Sequence, residues 1–314
     1  MIDLITVGRV SVDLYPEQSG PMTEVQSFRK SVGGTATNVA VAAARLGHHA
    51  ALITIVGDDQ FGEGIRHALS TKFGVDCSFI STHPLLPTPL AFAELDPIED
   101  PNLIFYRYPS APDMELSDAD FAAVPIEDAP IFWVPASRFS VEPSRSSVSN
   151  ALARREGRTH TVLDLDWRPQ FWDSESAARA TIEPLISQFT IAIGNRQECL
   201  VAVGTSNPND AADRLLGHGL EAAIIKLGAD GVMVALPDGT RQTIPPFPVK
   251  VVCGLGAGDA FGGAFCHGLL NNWDLTRTVR YGNAAGAIVA SRLMCADDMP
   301  TTQDIEELLT KWQS

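Results

Sequence analysis

Residues 251–265 read VVCGLGAGDAFGGAF, and the interpretation of the fold starts from this stretch. A predicted strand over 249–253 leads into the glycine-rich turn 254–258, and a predicted helix over 258–270 follows it. Glycines let a backbone approach a ligand closely, and the free N–H groups at the start of a helix suit anionic oxygens. Asp259 lies in the first turn of the predicted helix, so the segment combines an anion-binding backbone with a carboxylate.

Three functions compete for this turn, beside the common structural role of a strand–helix turn with Asp as N-cap. A dinucleotide-binding GxGxxG is out of register, because its third glycine would fall at Asp259. A phosphate-binding P-loop is excluded, because no GxxxxGK[ST] occurs in the chain. In the third, the N–H groups of Gly256, Ala257 and Gly258 stabilise a transferring phosphoryl group while Asp259 accepts a hydroxyl proton. The turn alone leaves the structural role and this third function open.

Short apolar runs alternate with amphipathic stretches along the rest of the chain. Strands separated by helices predict βαβ units and a mostly parallel sheet flanked by helices, a Rossmann-like α/β fold. Functional residues in such sheets usually lie beyond the carboxyl ends of the strands. The predicted strands are 2–8, 51–56, 131–134, 160–165, 189–193, 222–226, 231–236 and 249–253. The predicted helices are 37–46, 61–73, 142–156, 174–187, 207–217, 258–270, 275–292 and 302–312.

Two segments, 10–32 and 87–109, break this alternation. Their polar and apolar residues alternate without a helical period, and a DPIEDPN turn at 96–102 divides the second segment. Such patterns are typical of antiparallel hairpins. We predict one domain over 1–314 in which these segments form a small β lid, with an edge extension of the main sheet as the alternative. An apolar lid face would also allow a homodimer.

Bulk properties exclude several classes of protein. The chain has 314 residues and a formal net charge of −15, so it lacks the basic surface that binds nucleic acid or an anionic membrane. Its apolar runs are too short to span a bilayer, and its start lacks the pattern of a signal peptide. The five cysteines are scattered without metal-site spacing, which favours reduced thiols. We therefore expect a cytoplasmic protein that binds a small molecule.

Three motifs together resemble the ribokinase/PfkB family of sugar kinases. They are GAGD at 256–259, SVGGTATN at 31–38 and NRQE at 195–198. The resemblance implies a ribokinase-like fold with a small β lid, an ATP–Mg²⁺ cosubstrate and phosphorylation of a sugar hydroxyl. Members of the family are also activated by a monovalent cation, for which this sequence suggests no ligands.

The chain departs from the family's usual pattern just before GAGD. Cys253, Gly254 and Leu255 replace Asp-Thr-x, which removes a carboxylate and a hydroxyl but leaves Asp259 and the backbone donors. The segments GRVSVDLY, DLDWRPQFW, CGLGAGDAFGGA and SRLMCADDMPT resemble a branch of the family whose substrate is a sugar acid. The alternatives are a 2-keto-3-deoxygluconate kinase, a fructokinase, or a sensor of nucleotide or sugar that has lost turnover.

The resemblance assigns the sugar hydroxyls to residues near the lid. Asp13 matches a family Asp that binds paired hydroxyls, and Arg9 shares its strand face as a weaker candidate that could equally form a structural salt bridge. Gly33 and Gly34 let a sugar ring lie against bare backbone, and Asn38 follows one helical turn later. The alternative for this glycine pair is a packing turn before the helix.

Two arginines are candidates for binding a substrate carboxylate. Arg168 follows Asp164 and Asp166 at a predicted strand end, and these alternate residues project toward the ligand edge. Arg107 lies in the predicted lid, where a solvated surface arginine is the alternative. Guanidinium groups bind carboxylates through two parallel hydrogen bonds, so a sugar acid would use both side chains.

The remaining candidates concern ATP and its metal ion. Asn195 and Glu198 lie one helical turn apart, which suits a water-mediated Mg²⁺, with Glu198 as the metal residue, and equally a helix N-cap with a capping-box Glu. The alternatives for the other residues are a hairpin turn and the packing of small residues on a helix. The cofactor-binding residues implied by the resemblance are Asn195, Lys226, Gly228, Gly231 and Asn283.

Overall fold

The structure, a computed structural model, describes residues 1–18, 20–95, 101–156, 158 and 160–312. The strands of this part of the chain are β1 Leu4–Val7, β2 Ser11–Pro16, β3 Phe28–Gly33, β4 Ala50–Gly57, β5 Ile80–His83, β6 Leu90–Glu94, β7 Asn102–Tyr106, β8 Ile131–Pro135, β9 Thr161–Asp164, β10 Ile191–Asn195, β11 Ala222–Lys226, β12 Val232–Ala235 and β13 Arg241–Ile244. Its α-helices are α1 Thr35–Arg45, α2 Gln60–His67, α3 Asp118–Phe121, α4 Ser144–Arg155, α5 Glu175–Ile182, α6 Arg196–Val203, α7 Pro208–Gly217, α8 Ala257–Leu270, α9 Leu275–Ala290 and α10 Thr302–Lys311.

The larger sheet is parallel over most of its width. Its order is β13-β12-β11-β10-β9-β8-β1-β4-β5, and among the described strands only the β11–β12 and β12–β13 pairs are antiparallel. The chain passes from β1 to β4 on one side and later reaches β8 on the other, so the strand order reverses beside β1. Ligands of open α/β sheets bind beyond the carboxyl ends of the strands at such a point. The predicted Rossmann-like fold is confirmed.

Helices cover both faces of this sheet, and each face has its own apolar core. Leu4 and Ile193 pack into the core that includes α1, α8 and α9, whereas Ile5 and Ala192 pack into the core that includes α4 to α7. Because its strands are buried on both faces, a parallel sheet favours continuous apolar runs over alternation, and β4 is buried at every position. Within the described residues, no helix combines the length and apolar character needed to cross a bilayer.

Small residues let α1 and α8 pack unusually close together. A Cβ atom added to Gly263 of α8 would overlap Ala42 and lie 2.9 Å from the backbone nitrogen of Ala43, both in α1. The glycines that follow Asp259 in the sequence therefore have a packing role. Because the two helices pack so closely, their first turns meet at the same edge of the sheet, where Asn38 of α1 contacts Asp259 of α8.

The smaller sheet is separate from the larger one and has the order β3-β2-β6-β7. The β2–β3 and β6–β7 pairs are antiparallel, as predicted for segments 10–32 and 87–109, and a parallel β2–β6 pair joins the two hairpins. The segments form a sheet of their own and do not extend the main sheet. Most of the turn predicted at 96–102, residues 96–100, lies outside the described residues.

The prediction of a strand over 249–253 is wrong. The backbone N–H groups of Val252 and Cys253 donate instead to the carbonyl of Ala290 at the end of α9, at 2.8 and 3.1 Å. Three prolines within 245–248 precede the segment, and proline has no N–H to donate to a strand ladder. The sequence pattern also missed β5, β13 and α6, the first two being short strands that pair on one side only.

Candidate active site

A cavity of about 50 Å³ lies where β1, β2, α1 and α8 meet. It collects residues that are far apart in the sequence, from the smaller sheet, the ends of strands of the larger sheet and the starts of two helices. The predicted site residues that line it are Asp13, Gly34, Asn38, Arg107, Arg168, Gly256 and Asp259. We call it the first cavity.

Asp13 presents its carboxyl group to the first cavity from β2. Ser11 donates a hydrogen bond of 2.6 Å to Oδ1, and the Tyr15 hydroxyl lies 3.4 Å from Oδ2. Burial raises the pKa of Asp13 to about 6, although these two hydroxyl donors act in the opposite direction. Gly33 faces Ser11 across the β2–β3 ladder, and a Cβ atom there would overlap the Asp13 carboxyl group. The bare backbone at Gly33 therefore leaves room for Asp13.

Gly34, and neither nearby threonine, is the N-cap of α1. Its φ of 106° is a conformation that favours glycine, and a Cβ atom there would overlap the backbone of Arg9. A cap at Thr35 or Thr37, which the sequence SVGGTATN also predicts, is wrong, because Thr35 accepts a hydrogen bond from the Arg9 guanidinium and Thr37 donates to the Arg9 carbonyl. No side chain caps α1, so the backbone N–H groups of its first turn have no capping side chain.

Asp259 lies in the first turn of α8 and contacts α1. The Asn38 amide donates from Nδ2 to Asp259 Oδ2 at 2.7 Å, while the buried Oδ1 of Asn38 has no hydrogen-bond partner. Burial raises the pKa of Asp259 to about 6, and the Asn38 hydrogen bond and the charge of Arg168 lower it in part. A carboxylate with a pKa near this value is ionised at neutral pH and is basic enough to accept a hydroxyl proton.

The turn before Asp259 separates the first cavity from a second one. Gly256 has a φ of 78°, and a Cβ atom on it would lie 2.7 Å from the sulfur of Cys295. Gly256 is the N-cap of α8 and no side chain caps this helix, so its first N–H groups remain available to an anion. Gly256 lines the first cavity, whereas Ala257 and Gly258 line the second.

The second cavity, of about 520 Å³, lies between β11, the segment after β13, and helices α8 and α9. Much of its wall is apolar, and Phe247 and Val251 of the segment after β13 contribute to it. Sequence analysis proposes neither residue, because Val251 falls in the wrongly predicted strand 249–253 and Phe247 lies among the prolines before it, which indicate an irregular chain. The predicted cofactor-binding residues that line it are Lys226, Gly228, Gly231 and Asn283.

Asn283 also has a structural contact. Its Nδ2 donates to the carbonyl oxygens of Ile244 and Pro245, at 3.3 and 3.0 Å, and so holds the segment after β13 against α9. Gly228 and Gly231, with φ of 66° and 93°, form the turn between β11 and β12. These two glycines therefore form the hairpin turn that was the structural alternative, and they also line the second cavity.

Asn195 and Glu198 form the capping box that was the structural alternative. Asn195 Oδ1 accepts from the Glu198 backbone N–H at 2.9 Å, and Glu198 Oε2 accepts from the Asn195 N–H at 2.6 Å. Neither residue is in the lining of the two cavities, although Lys226 Nζ lies 3.6 Å from Glu198 Oε2. The described residues contain no cluster of three or more His, Cys, Asp or Glu side chains that could hold a metal ion.

The two predicted carboxylate-binding arginines both reach the first cavity. Arg107 pairs with the fully buried Asp113 and its side chain is 7% exposed, so it is not a solvated surface residue. Arg168 is 38% exposed, and its Nε lies 3.5 Å from Asp166 Oδ1. Burial would raise the pKa of Asp166, but its neighbours Arg9 and Arg168 hold that pKa well below the usual range. Asp164, in contrast, has its pKa raised to about 8 by burial.

Comparison with known proteins places the chain in a family. The model of the pfkB family of carbohydrate kinases matches residues 1–302. A 5-dehydro-2-deoxygluconokinase of Clostridium tetani is 30% identical over 316 residues, which cover 98% of this chain and 93% of the relative. The chain therefore belongs to the pfkB family and is a carbohydrate kinase. The resemblance inferred from its motifs is confirmed, down to the branch that this relative represents.

Solved structures of sugar kinases share the whole fold. A fructokinase double mutant of Vibrio cholerae, with fructose, ADP and a potassium ion bound, is 25% identical with a TM-score of 0.87, and the match covers 98% of both chains. A fructokinase of Xylella fastidiosa with bound ATP is 22% identical, has a TM-score of 0.87 and covers both chains completely. The ribokinase-like architecture of the larger sheet and the separate small sheet is thereby confirmed.

Proposed function

We propose that this kinase transfers the γ-phosphoryl group of ATP to O6 of 5-dehydro-2-deoxygluconate, a sugar acid of myo-inositol catabolism. The observation that carries the proposal is the position of Asp259, between a cavity lined by three arginines and a larger cavity with an apolar wall. The first suits an acid with several hydroxyls, and the second suits a nucleotide. The name of the relative from Clostridium tetani supports the same substrate.

The substrate hydroxyl is activated by Asp259 in this mechanism. The carboxylate accepts the hydroxyl proton as the oxygen attacks the γ-phosphorus, and the leaving group is ADP. Asn38 holds the Asp259 carboxylate through its 2.7 Å hydrogen bond. The N–H groups of Gly256, Ala257 and Gly258, at the uncapped start of α8, stabilise the charge on the transferring group. Asp13, with Gly33, Gly34 and Asn38 beside it, binds the other hydroxyls.

The nucleotide lies in the second cavity, with its phosphates toward Lys226 and the start of α8. Mg²⁺ would neutralise charge on the phosphates and would be held mainly by them and by water, since Mg²⁺ retains most of its waters in such sites. Glu198 fits a water-mediated contact, because its carboxylate is partly occupied by Lys226 and the Asn195 N–H. Asn195 orients Glu198 through the capping box. Gly228, Gly231 and Asn283 line the part of the second cavity that receives the adenosine of the nucleotide.

The small sheet acts as a lid in this proposal. The first cavity, at about 50 Å³, is far below the roughly 300–1,000 Å³ of ordinary ligand pockets, so the sheet must move away to admit a six-carbon acid. Closure then excludes water from the transfer step.

The exposed Tyr106 and Tyr108 at the edge of the lid support a homodimer through this sheet, which light scattering would detect as twice the 33.7 kDa chain mass. A chain mass alone would contradict the dimer.

A coupled ADP-release assay with ATP and Mg²⁺ tests the function. It should compare 5-dehydro-2-deoxygluconate, 2-keto-3-deoxygluconate, fructose and ribose, each in potassium and in sodium buffer to detect a monovalent cation. A preference for the first acid supports the proposal. Preference for a neutral sugar would support the kinase activity and reject the role of the arginines, and ATP binding without any turnover would favour a sensor.

The five free cysteines and the need for ATP support a cytoplasmic location, which cell fractionation would test.

The rate should depend on pH through Asp259. Because a base must be ionised to accept a proton and the pKa of Asp259 is raised to about 6, kcat/KM should be constant above about pH 7 and fall as the pH drops below 6. Asp13 has the same value, so protonation of both makes the fall steeper than one group would. Initial rates between pH 5 and 8, at saturating ATP, measure this limb. A flat profile down to about pH 5 would contradict the role of Asp259 as the base and of Asp13 as a charged substrate-binding group.

Alanine at Gly33 should weaken substrate binding. The added methyl group would overlap the Asp13 carboxyl group and displace it, so KM for the acid should rise roughly 10- to 100-fold, the worth of a charge-assisted hydrogen bond. The KM for ATP should stay unchanged. Gly64→Ala is the matched control, because nothing lies within 4 Å of a Cβ atom at that helical glycine. Equal KM values in the two variants would show that Asp13 does not bind the substrate.

A further inference from the structure

Arg9 is a buried arginine whose charge is only partly satisfied by the protein. It follows β1, is 4% exposed and lines the first cavity. Its Nη2 donates to Thr35 Oγ1 at 2.5 Å and to Asp166 Oδ1 at 3.1 Å. Its Nη1 is buried and has no hydrogen-bond partner among the described residues. Buried polar groups are costly without a partner, so a guanidinium nitrogen left free beside a cavity indicates a ligand that accepts from it.

The ion pairs around Arg9 contain more guanidinium groups than carboxylates. Four guanidinium groups share two buried carboxylates in these pairs, so each carboxylate has two arginine partners. The pairs are Arg9 and Arg168 with Asp166, and Arg107 and Arg138 with Asp113. A buried guanidinium that shares its carboxylate with a second arginine can pair with a further anion, and a carboxylate in the first cavity would supply one.

The other two carboxyl groups of the first cavity have donors of their own. Asp13 accepts from Ser11 at 2.6 Å, and Asp259 accepts from Asn38 at 2.7 Å. Burial raises the pKa of each to about 6, so both are ionised at neutral pH and can accept hydrogen bonds from substrate hydroxyls. In this proposal they form the hydroxyl-binding side of the cavity, distinct from the cluster of arginines.

The ring of Phe171 contacts two of the guanidinium groups. The Cζ atoms of Arg9 and Arg107 each lie 5.0 Å from the centroid of its ring, within the range of a cation–π contact. Arg168 joins them through its contact with Asp166, which also pairs with Arg9. The three side chains thus converge on one wall of the first cavity from β1, from the end of β7 and from the end of β9.

We propose that Arg9 binds the substrate carboxylate through Nη1, as a third guanidinium beside Arg107 and Arg168, and so determines the preference for an acid. This inference rests on the proposed function. It assigns the carboxylate to the side of the first cavity lined by Arg9, Arg107 and Arg168, and it leaves the hydroxyl chain of the substrate to extend toward Asp13 and Asp259. A neutral sugar would leave the positive cluster unpaired, so it would bind weakly.

Replacing Arg9 by lysine tests the inference. Lysine keeps a positive charge beside Asp166 but lacks the planar fork that reaches two partners at once. We expect kcat/KM to fall roughly 10- to 100-fold for 5-dehydro-2-deoxygluconate, mainly through KM, and to stay within about threefold for its uncharged carboxamide. Arg179→Lys is the matched control, because Arg179 donates to the carbonyls of Leu200 and Val201 and lines neither cavity.

The outcomes separate this inference from the proposed function. An equal loss on acid and carboxamide, with an acid-selective wild type, would show a structural role of Arg9 and overturn the inference alone. A wild type that does not prefer the acid would overturn the proposed substrate and the inference together. Should Arg9→Lys not fold, a crystal structure of the wild type with the acid decides. A carboxylate oxygen within about 3.2 Å of Arg9 Nη1 supports the inference, and a carboxylate bound elsewhere overturns it.

Discussion

Replacing Asp259 by asparagine should lower kcat by ~10²–10⁴-fold, the usual contribution of a general base. The substitution is nearly isosteric, and an asparagine oxygen can still accept the 2.7 Å hydrogen bond from Asn38, so the packing of α1 against α8 should survive. What is lost is the ability to accept a proton. The loss should therefore appear in kcat, while the KM values for acid and ATP change little, and a single-turnover measurement of phosphoryl transfer would locate it in the chemical step.

Two comparisons make this result specific. Asp238→Asn changes an exposed aspartate in the turn between β12 and β13, outside both cavities, and should leave kcat unchanged. The residual activity of Asp259→Asn should also lose the part of the acidic pH limb that belongs to Asp259, whose pKa is about 6. Near-normal turnover with an unchanged pH profile would reject Asp259 as the base and would require another acceptor for the hydroxyl proton.

The sequence predicted those parts of the site whose residues are close together along the chain. Asp259 and its glycines lie together at the start of one predicted helix, and the alternation of strands and helices was sufficient for the parallel sheet. The family resemblance assigned Lys226 to the nucleotide, and the residue lies at the end of β11 in the lining of the second cavity. Close packing of α1 and α8 was not foreseen, although the small residues at Gly262 and Gly263 that allow it are visible in the motif.

Contacts between distant segments could not be predicted in the same way. The capping box at Asn195 and Glu198 was left open because one spacing serves both a cap and a metal contact. Whether Arg107 is solvated or buried depends on Asp113, whose position follows from the docking of the small sheet against the larger one. The hydrogen bond from Tyr15 to Cys295 joins residues 280 positions apart. Periodicity describes only local backbone, so it contains no information about such pairs.

Alanine at Arg168 should lower kcat/KM for 5-dehydro-2-deoxygluconate by ~10²–10³-fold, as expected when one partner of a charged hydrogen-bonded pair is removed. The uncharged carboxamide should lose much less, because it has no charge for the guanidinium to pair with. Folding should be affected little. Asp166 keeps Arg9 as a partner at 3.1 Å after the truncation, so the change does not leave a buried carboxylate unpaired.

Arg154→Ala is the matched control for this truncation. Arg154 is 37% exposed, nearly as much as Arg168, and pairs with Glu127 at 2.7 Å on a surface away from both cavities, so its loss should not change the ratio of acid to carboxamide rates. Kinetics on the two substrates, with unfolding temperatures of the variants, separate binding from stability. If Arg168→Ala impaired both substrates equally, Arg168 would act on the reacting groups near Asp259 and not on the carboxylate. The acid preference would then have to come from Arg9 and Arg107, which share the ring of Phe171 and do not depend on Arg168 for their position.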